Sequence, residues 1–182
     1  MKNNSKFLIF SFFFVVLIIN NKAYANEIIF STSDLNITNN GSIINAGIGS
    51  AYSKSSNIKI DGQSFKFDKS TSILIANKAK VFLPEKNIEI NADKLIYDQK
   101  ISLIKAIGNV EIKDLANIVT FKSKEVSYNK IEETIFSNVR STFYDKALNN
   151  FTSEMFTYTL NDGLLKISEA SILDVQKNKY YI

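Results

Sequence analysis

From residue 28 onward the sequence repeats itself every 30 or 31 residues, and the repeat is written in strand periodicity. With x as the first apolar position, the set x, x+2, x+4, x+7, x+9 reads Ile28, Phe30, Thr32, Leu35, Ile37 in the first unit. The second unit gives Ile58, Ile60, Gly62, Phe65, Phe67, and the third Ile88, Ile90, Ala92, Leu95, Tyr97. The fourth gives Val119, Phe121, Ser123, Val126, Tyr128. The fifth, Asn149, Phe151, Ser153, Phe156, Tyr158, loses only its first position. Starts are spaced by 30, 30, 31 and 30 residues, too regular for coincidence.

Alternation with period two means a strand with one buried face. The step from x+4 to x+7 is odd, so the inward side chains would swap faces unless a bulge or a bend between two short strands resets the parity. Position x+4 is always small (Thr32, Gly62, Ala92, Ser123, Ser153), which marks a corner where backbones approach closely. After x+9 comes turn chemistry: Asn39-Asn40-Gly41, Asp68-Lys69-Ser70, Asp98-Gln99-Lys100, Asn129-Lys130 and Asn161-Asp162-Gly163. A second apolar stretch follows each turn, and in the third unit it gives an inward face of Ile104, Ala106, Gly108, Val110 and Ile112. Pro84 falls between units. Residues 115–130 come nearest to a helix, but Ile118-Val119-Thr120-Phe121 favours strand. The expected fold is all-β: a repetitive antiparallel stack of about five hairpin-like units of 30 residues, each needing its neighbours to bury a face.

Composition removes most enzyme chemistry. The chain has no Cys, so no disulfide or thiolate site, and no His, the commonest general base and metal ligand. Neither G-x-S-x-G nor H-E-x-x-H occurs. Asp93 and Asp98 read as turn and surface residues rather than a catalytic pair. No catalytic residue, metal ligand or cofactor is expected. Lys2 and Lys6, the 13-residue apolar run Phe7 to Ile19, and Ala23-Tyr24-Ala25 form a secretory signal pattern that predicts cleavage after Ala25. The run is shorter than the roughly 20 residues of a spanning helix. Removing Lys2, Lys6 and Lys22 lowers the basic count from 22 to 19 against 18 acids, leaving about +1. Lysines and acids mix along the strands, which argues against a nucleic-acid partner.

The run Ala92-Asp93-x-Leu95-x-Tyr97-Asp98, followed by Ala106-x-Gly108-Asn109-Val110-Glu111-Ile112, resembles the OstA-like repeat of lipopolysaccharide-transport (Lpt) proteins. That family includes the bridge protein LptA, the anchored LptC and the N-terminal region of the translocon LptD. Only the third unit meets the pattern in full. The second keeps Phe67-Asp68 and Val81, the fourth Tyr128-Asn129 and Asn138-Val139, and the fifth only Tyr158. The resemblance spans about residues 27–182. It implies a β-jellyroll, a folded taco whose two sheets open to an apolar groove for lipopolysaccharide acyl chains. It also implies a periplasmic setting in a Gram-negative cell, and Lpt partners joined by edge-strand pairing.

The repeated inward positions are the candidate acyl lane: Ile58, Ile60, Phe65, Ile88, Ile90, Leu95, Tyr97, Ile104, Val110, Phe121 and Val126. The same residues also read as plain core, since apolar strand faces usually just pack. Tyr97, Tyr128 and Tyr158 suit a groove rim with wet hydroxyls. Lys105 and Arg140 are candidates to meet lipid phosphates, against a solvated-face reading. Adding 31 to Asn149 gives Tyr180, so Tyr180 and Ile182 read as the start of a sixth unit. On that reading residues 26–182 form one domain that breaks off inside a strand, as in an LptD-like N-terminal region followed by an outer-membrane barrel; the alternative is a complete LptA-like bridge whose terminal edge strand serves in docking. Two functions compete: a periplasmic lipopolysaccharide conduit, and a secreted repeat scaffold, filament or adhesin, with a closed core and no lipid.

Overall fold

The computed structural model describes residues 28–144, 150–173 and 179–181. The expected signal segment, Asn149 and Ile182 lie outside them. Fifteen antiparallel strands form one continuous sheet: β1 (Ile28–Thr32), β2 (Leu35–Thr38), β3 (Ile43–Ala46), β4 (Gly49–Ser53), β5 (Ile58–Gly62), β6 (Ser64–Asp68), β7 (Ile73–Leu83), β8 (Ile88–Asp98), β9 (Leu103–Asp114), β10 (Val119–Asn129), β11 (Thr134–Ser137), β12 (Ser141–Tyr144), β13 (Asn150–Thr159), β14 (Leu164–Leu173) and β15 (Lys179–Tyr181). Pro84–Lys86 makes a 3-10 turn, with the proline where its missing N–H costs nothing. Residues 119–129 are strand, as the β-branched run required.

The parity slip folds this sheet in two. In the first two units the slip breaks the chain into short strands, β1 from β2 and β5 from β6. In the third and fourth it is a register shift within one long strand, between Asn91 and Lys94 and between Ser123 and Glu125. Two consecutive residues then point outward, as at Gln63-Ser64, Asp93-Lys94 and Glu154-Met155, before the inward face resumes. The long strands β7 to β10, β13 and β14 cross this corner and contribute one half to each layer, while the short strands lie wholly in one layer. Layer I runs β1-β4-β5, the far half of β7, then the halves around Ile88–Ala92, Val110–Asp114 and Val119–Ser123, then β12, and on to β15. Layer II runs β2-β3-β6, then the opposite halves of β7 to β10, β11, and the remaining halves of β13 and β14. This is the antiparallel jellyroll of the repeat pattern.

Small residues at the corner have a steric cause. A Cβ on Gly62 would lie 3.1 Å from the Phe65 ring and 3.3 Å from the Asn77 carbonyl oxygen. On the returning strand, Gly108 and Asn109 take positive φ of 75° and 45°, and Asp93 accepts from Lys78 and from Asn109 across the bend. Asp93 is thus a corner brace. Asp98 is a turn residue, its carboxylate accepting from the Lys100 N–H at 2.9 Å, as Asp68 does from Ser70 and Asn129 from Ile131.

Turns within a layer are tied by backbone. In layer II the N–H groups of Lys69, Gln99, Lys130 and Leu160 donate to the carbonyls of Ser42, Ser72, Ser102 and Glu133. In layer I the Leu115 N–H donates to the Asn87 carbonyl.

Candidate functional site

Folding the sheet at the corner brings the inward faces of the layers together. All eleven lane candidates fall in one apolar cluster, each no more than 3% exposed. Ile58, Ile60, Ile88, Ile90, Val110 and Phe121 come from layer I; Phe65, Leu95, Tyr97, Ile104 and Val126 face them from layer II. Fully burying a side chain of this size contributes roughly 1.5–3 kcal/mol, so this interior is the main source of stability. The cluster also includes Leu74, Val81, Ile112, Ile135, Phe143, Phe156 and Tyr158. Phe156 and Tyr158 sit at repeat positions of the fifth unit, so their inward facing was legible. Leu74 lies between two apolar neighbours, Ile73 and Ile75, and Ile135 beside Phe136, which hides the parity.

The interior is filled. Phe30 of layer I meets Phe65 of layer II edge-on with ring centres 5.9 Å apart. Near the other end Phe121 and Phe143 of layer I pack on Phe156, at 5.8 and 5.0 Å, and Phe121 lies 5.0 Å from Tyr158. The implied open groove is therefore closed in this structure. At the first end the lane positions Leu35 and Ile37 are 48% and 52% exposed, because β2 is the terminal strand of layer II.

Opposite the corner lies the mouth, where the turns of the two layers meet. Side chains alone close it among the described residues. The Tyr97 hydroxyl donates to Ser56 Oγ at 2.5 Å, Gln99 Nε2 to Ser53 Oγ at 3.2 Å, and Lys130 Nζ to the Ser56 carbonyl. Lys86 Nζ donates to Glu133 Oε2 at 2.9 Å and Asn161 Oδ1 at 2.6 Å. The Tyr158 hydroxyl donates to Asp114 Oδ2 at 2.5 Å, and Asn117 Nδ2 reaches both at 2.8 and 3.1 Å. Two of the three rim tyrosines thus latch one layer to the other.

The electrostatics follow from this geometry. Burial opposes the charge on Asp114, yet hydrogen bonds from Tyr158, Asn117 and Ala116 outweigh it and hold its carboxyl below the usual range. Burial, then the Asp114 carboxylate, pushes the Tyr158 hydroxyl strongly up. Tyr128 is pushed up to about 12 by burial, then by Glu133 and Glu85. The Lys86 ammonium holds Glu133 below its ordinary value. Lys105 and Arg140 lie away from the mouth, paired with Glu125 at 2.7 Å and Glu154 at 3.7 Å on exposed faces, so neither rims the lane. The mouth residues Ser56, Lys86, Asp114 and Asn117 carried no signal beyond turn chemistry, since their partners lie 41 to 75 residues away.

No family model matches this sequence, and no curated protein does. Among solved structures the chain is similar to LptH, described as the LptA-homologous periplasmic component of a conserved lipopolysaccharide transport device from Pseudomonas aeruginosa. The TM-score is 0.55 at 8% identity, over 69% of this chain and 93% of that one. At that identity the shared property is the fold.

Proposed function

We propose that this protein is a periplasmic module for lipopolysaccharide transport, whose inter-layer lane receives acyl chains. The observation that carries the reading is the lane itself. One apolar face keeps its phase through five units, inside a jellyroll shared with LptH, and side chains alone seal its long side. Each buried methylene of a guest chain contributes about 0.8 kcal/mol. A guest that replaces contacts between the layers restores most of the apolar burial lost on opening. Parting the mouth breaks only side-chain contacts, while each strand stays paired within its layer. Among the described residues the outer strands β1, β2 and β15 leave backbone groups unpaired at the two ends, which suits docking of Lpt partners by strand addition.

A specific observation favours the second reading. The interior is packed, as a lipid-free repeat scaffold requires. Photo-crosslinking separates the two. A photoreactive residue at Ile90 or Ile104 is expected to capture lipopolysaccharide, and one at the outward-facing Ile75 is not. Silence from several inward positions leaves the scaffold.

A further inference from the structure

The mouth seal has a weak point. Between the Tyr97–Ser56 and Tyr158–Asp114 contacts lies a cleft of about 40 Å³. Its walls include Ile58 and Leu83 of the core, Lys86 and Lys130, and Tyr128. Tyr128 holds the repeat position of the two latching tyrosines and is only 4% exposed. Among the described residues its hydroxyl makes no hydrogen bond to protein, although it lines this cleft. The charged groups there are Lys86, Lys130, Glu85 and Glu133. Among the described residues Glu133 and Asn161 take up Lys86, while Lys130 donates to the Ser56 carbonyl and acts on Glu133 through its charge. Two cations and an unused donor thus stand at a small gap that leads directly onto an apolar floor. Glu133 and Glu85 are the anions the protein itself supplies; Glu85 accepts from Asn57, and Glu133 is the one that holds Lys86.

We propose that this cleft is the lateral entry site for a phosphorylated lipid. The phosphate displaces Glu133 from Lys86 and takes Lys86, Lys130 and the Tyr128 hydroxyl as its donors, and the acyl chain follows over Ile58 and Leu83. The inference rests on the conduit reading and adds the place and chemistry of entry. Charge-assisted contacts to phosphate are the strong class of hydrogen bond, so losing two lysines has a large effect.

The test follows loading of the purified protein, read as crosslinking from a photoreactive residue at Ile90. The probes are lipopolysaccharide, the same lipid after enzymatic dephosphorylation, and inorganic phosphate alone. The double variant Lys86→Ala/Lys130→Ala is expected to load phosphorylated lipid about tenfold more slowly, and the dephosphorylated lipid within about twofold of the parent. Glu133→Gln is expected to speed phosphorylated lipid about threefold, since it removes the competing anion. Lys86→Arg/Lys130→Arg retains loading, and thermal melts confirm that each variant folds. A latch with only a structural role would not give opposite signs for the lysines and Glu133.

Parent-like loading by the double alanine variant overturns the inference and leaves the conduit reading standing, with entry at an end of the stack. Slowing by Glu133→Gln also overturns it. A Lys86-dependent rise in melting temperature with inorganic phosphate, without competition against lipid, reassigns the cleft to free phosphate. Absence of loading by the parent sinks the conduit reading and this inference together.

Discussion

The corner and the mouth are the two long borders of the same folded sheet, and they are made of different materials. At the corner the chain itself passes from layer to layer, held by small residues, positive φ and the Lys78–Asp93–Asn109 brace. At the mouth the layers touch through hydroxyl, amide, lysine and carboxylate groups spread over five turns. A border of covalent chain can bend but not open, whereas one of side chains can open without unfolding either layer. A hinge and a seam follow from that difference.

The largest expected effect tests the hinge. Gly108→Val puts a β-branched residue at φ of 75° with its Cβ only 2.7 Å from Asp93 Oδ2. The expected loss is about 3 kcal/mol by urea unfolding. A loss below about 1 kcal/mol would mean the corner tolerates bulk, and the contrast would fail.

Alkali should come next, and it should act on the seam alone. Tyr128 and Tyr158 have hydroxyl pKa values raised by folding. Their stabilisation is therefore complete below about pH 10, the unfolded value, and is lost as pH rises through the folded values, about 12 for Tyr128. Hydrogen exchange is expected to speed first in the turns at 53–57, 114–118 and 129–133, while the corner stays protected. Acid does not discriminate. Asp93 at the corner and Asp114 and Glu133 at the mouth all have depressed values, so all lose their contribution as pH falls below about 4.

Smaller effects belong to single seam contacts. Tyr158→Phe removes one donor from a buried carboxylate that keeps Asn117, and is expected to cost about 1–2 kcal/mol. It should also raise the Asp114 pKa in an NMR titration. Lys86→Ala cuts a partly exposed pair, with a cost below about 1 kcal/mol. If it destabilises as much as Gly108→Val, the seam bears more of the fold than a separable border can.

The contrast also marks what could be read from residue order. The hinge was legible, because an odd step in a period-two pattern demands a parity reset, and five small residues at x+4 located it. The inward face was legible for the same reason, whereas the tyrosines expected to carry wet hydroxyls at a rim are buried, and two of them bond across the mouth. The seam was not. Ser56 and Lys86 look like ordinary turn residues, and nothing local shows that each will meet a partner two or three units further on. Nothing in the sequence around Asp114 marks it for burial, yet it is 3% exposed, because Tyr158 and Asn117 replace its water. The expected open groove failed on the same point: strand period predicts which side chains face inward, not how tightly two faces close.

The ties between turns have a direction. In each one a later unit donates its N–H and an earlier unit supplies the carbonyl. A chain that emerges with its N-terminus first therefore meets, at each step, a finished template offering the acceptor the next turn needs. Assembly can proceed like a zip closed from one end, with each unit ordering its successor before the rest of the chain has arrived.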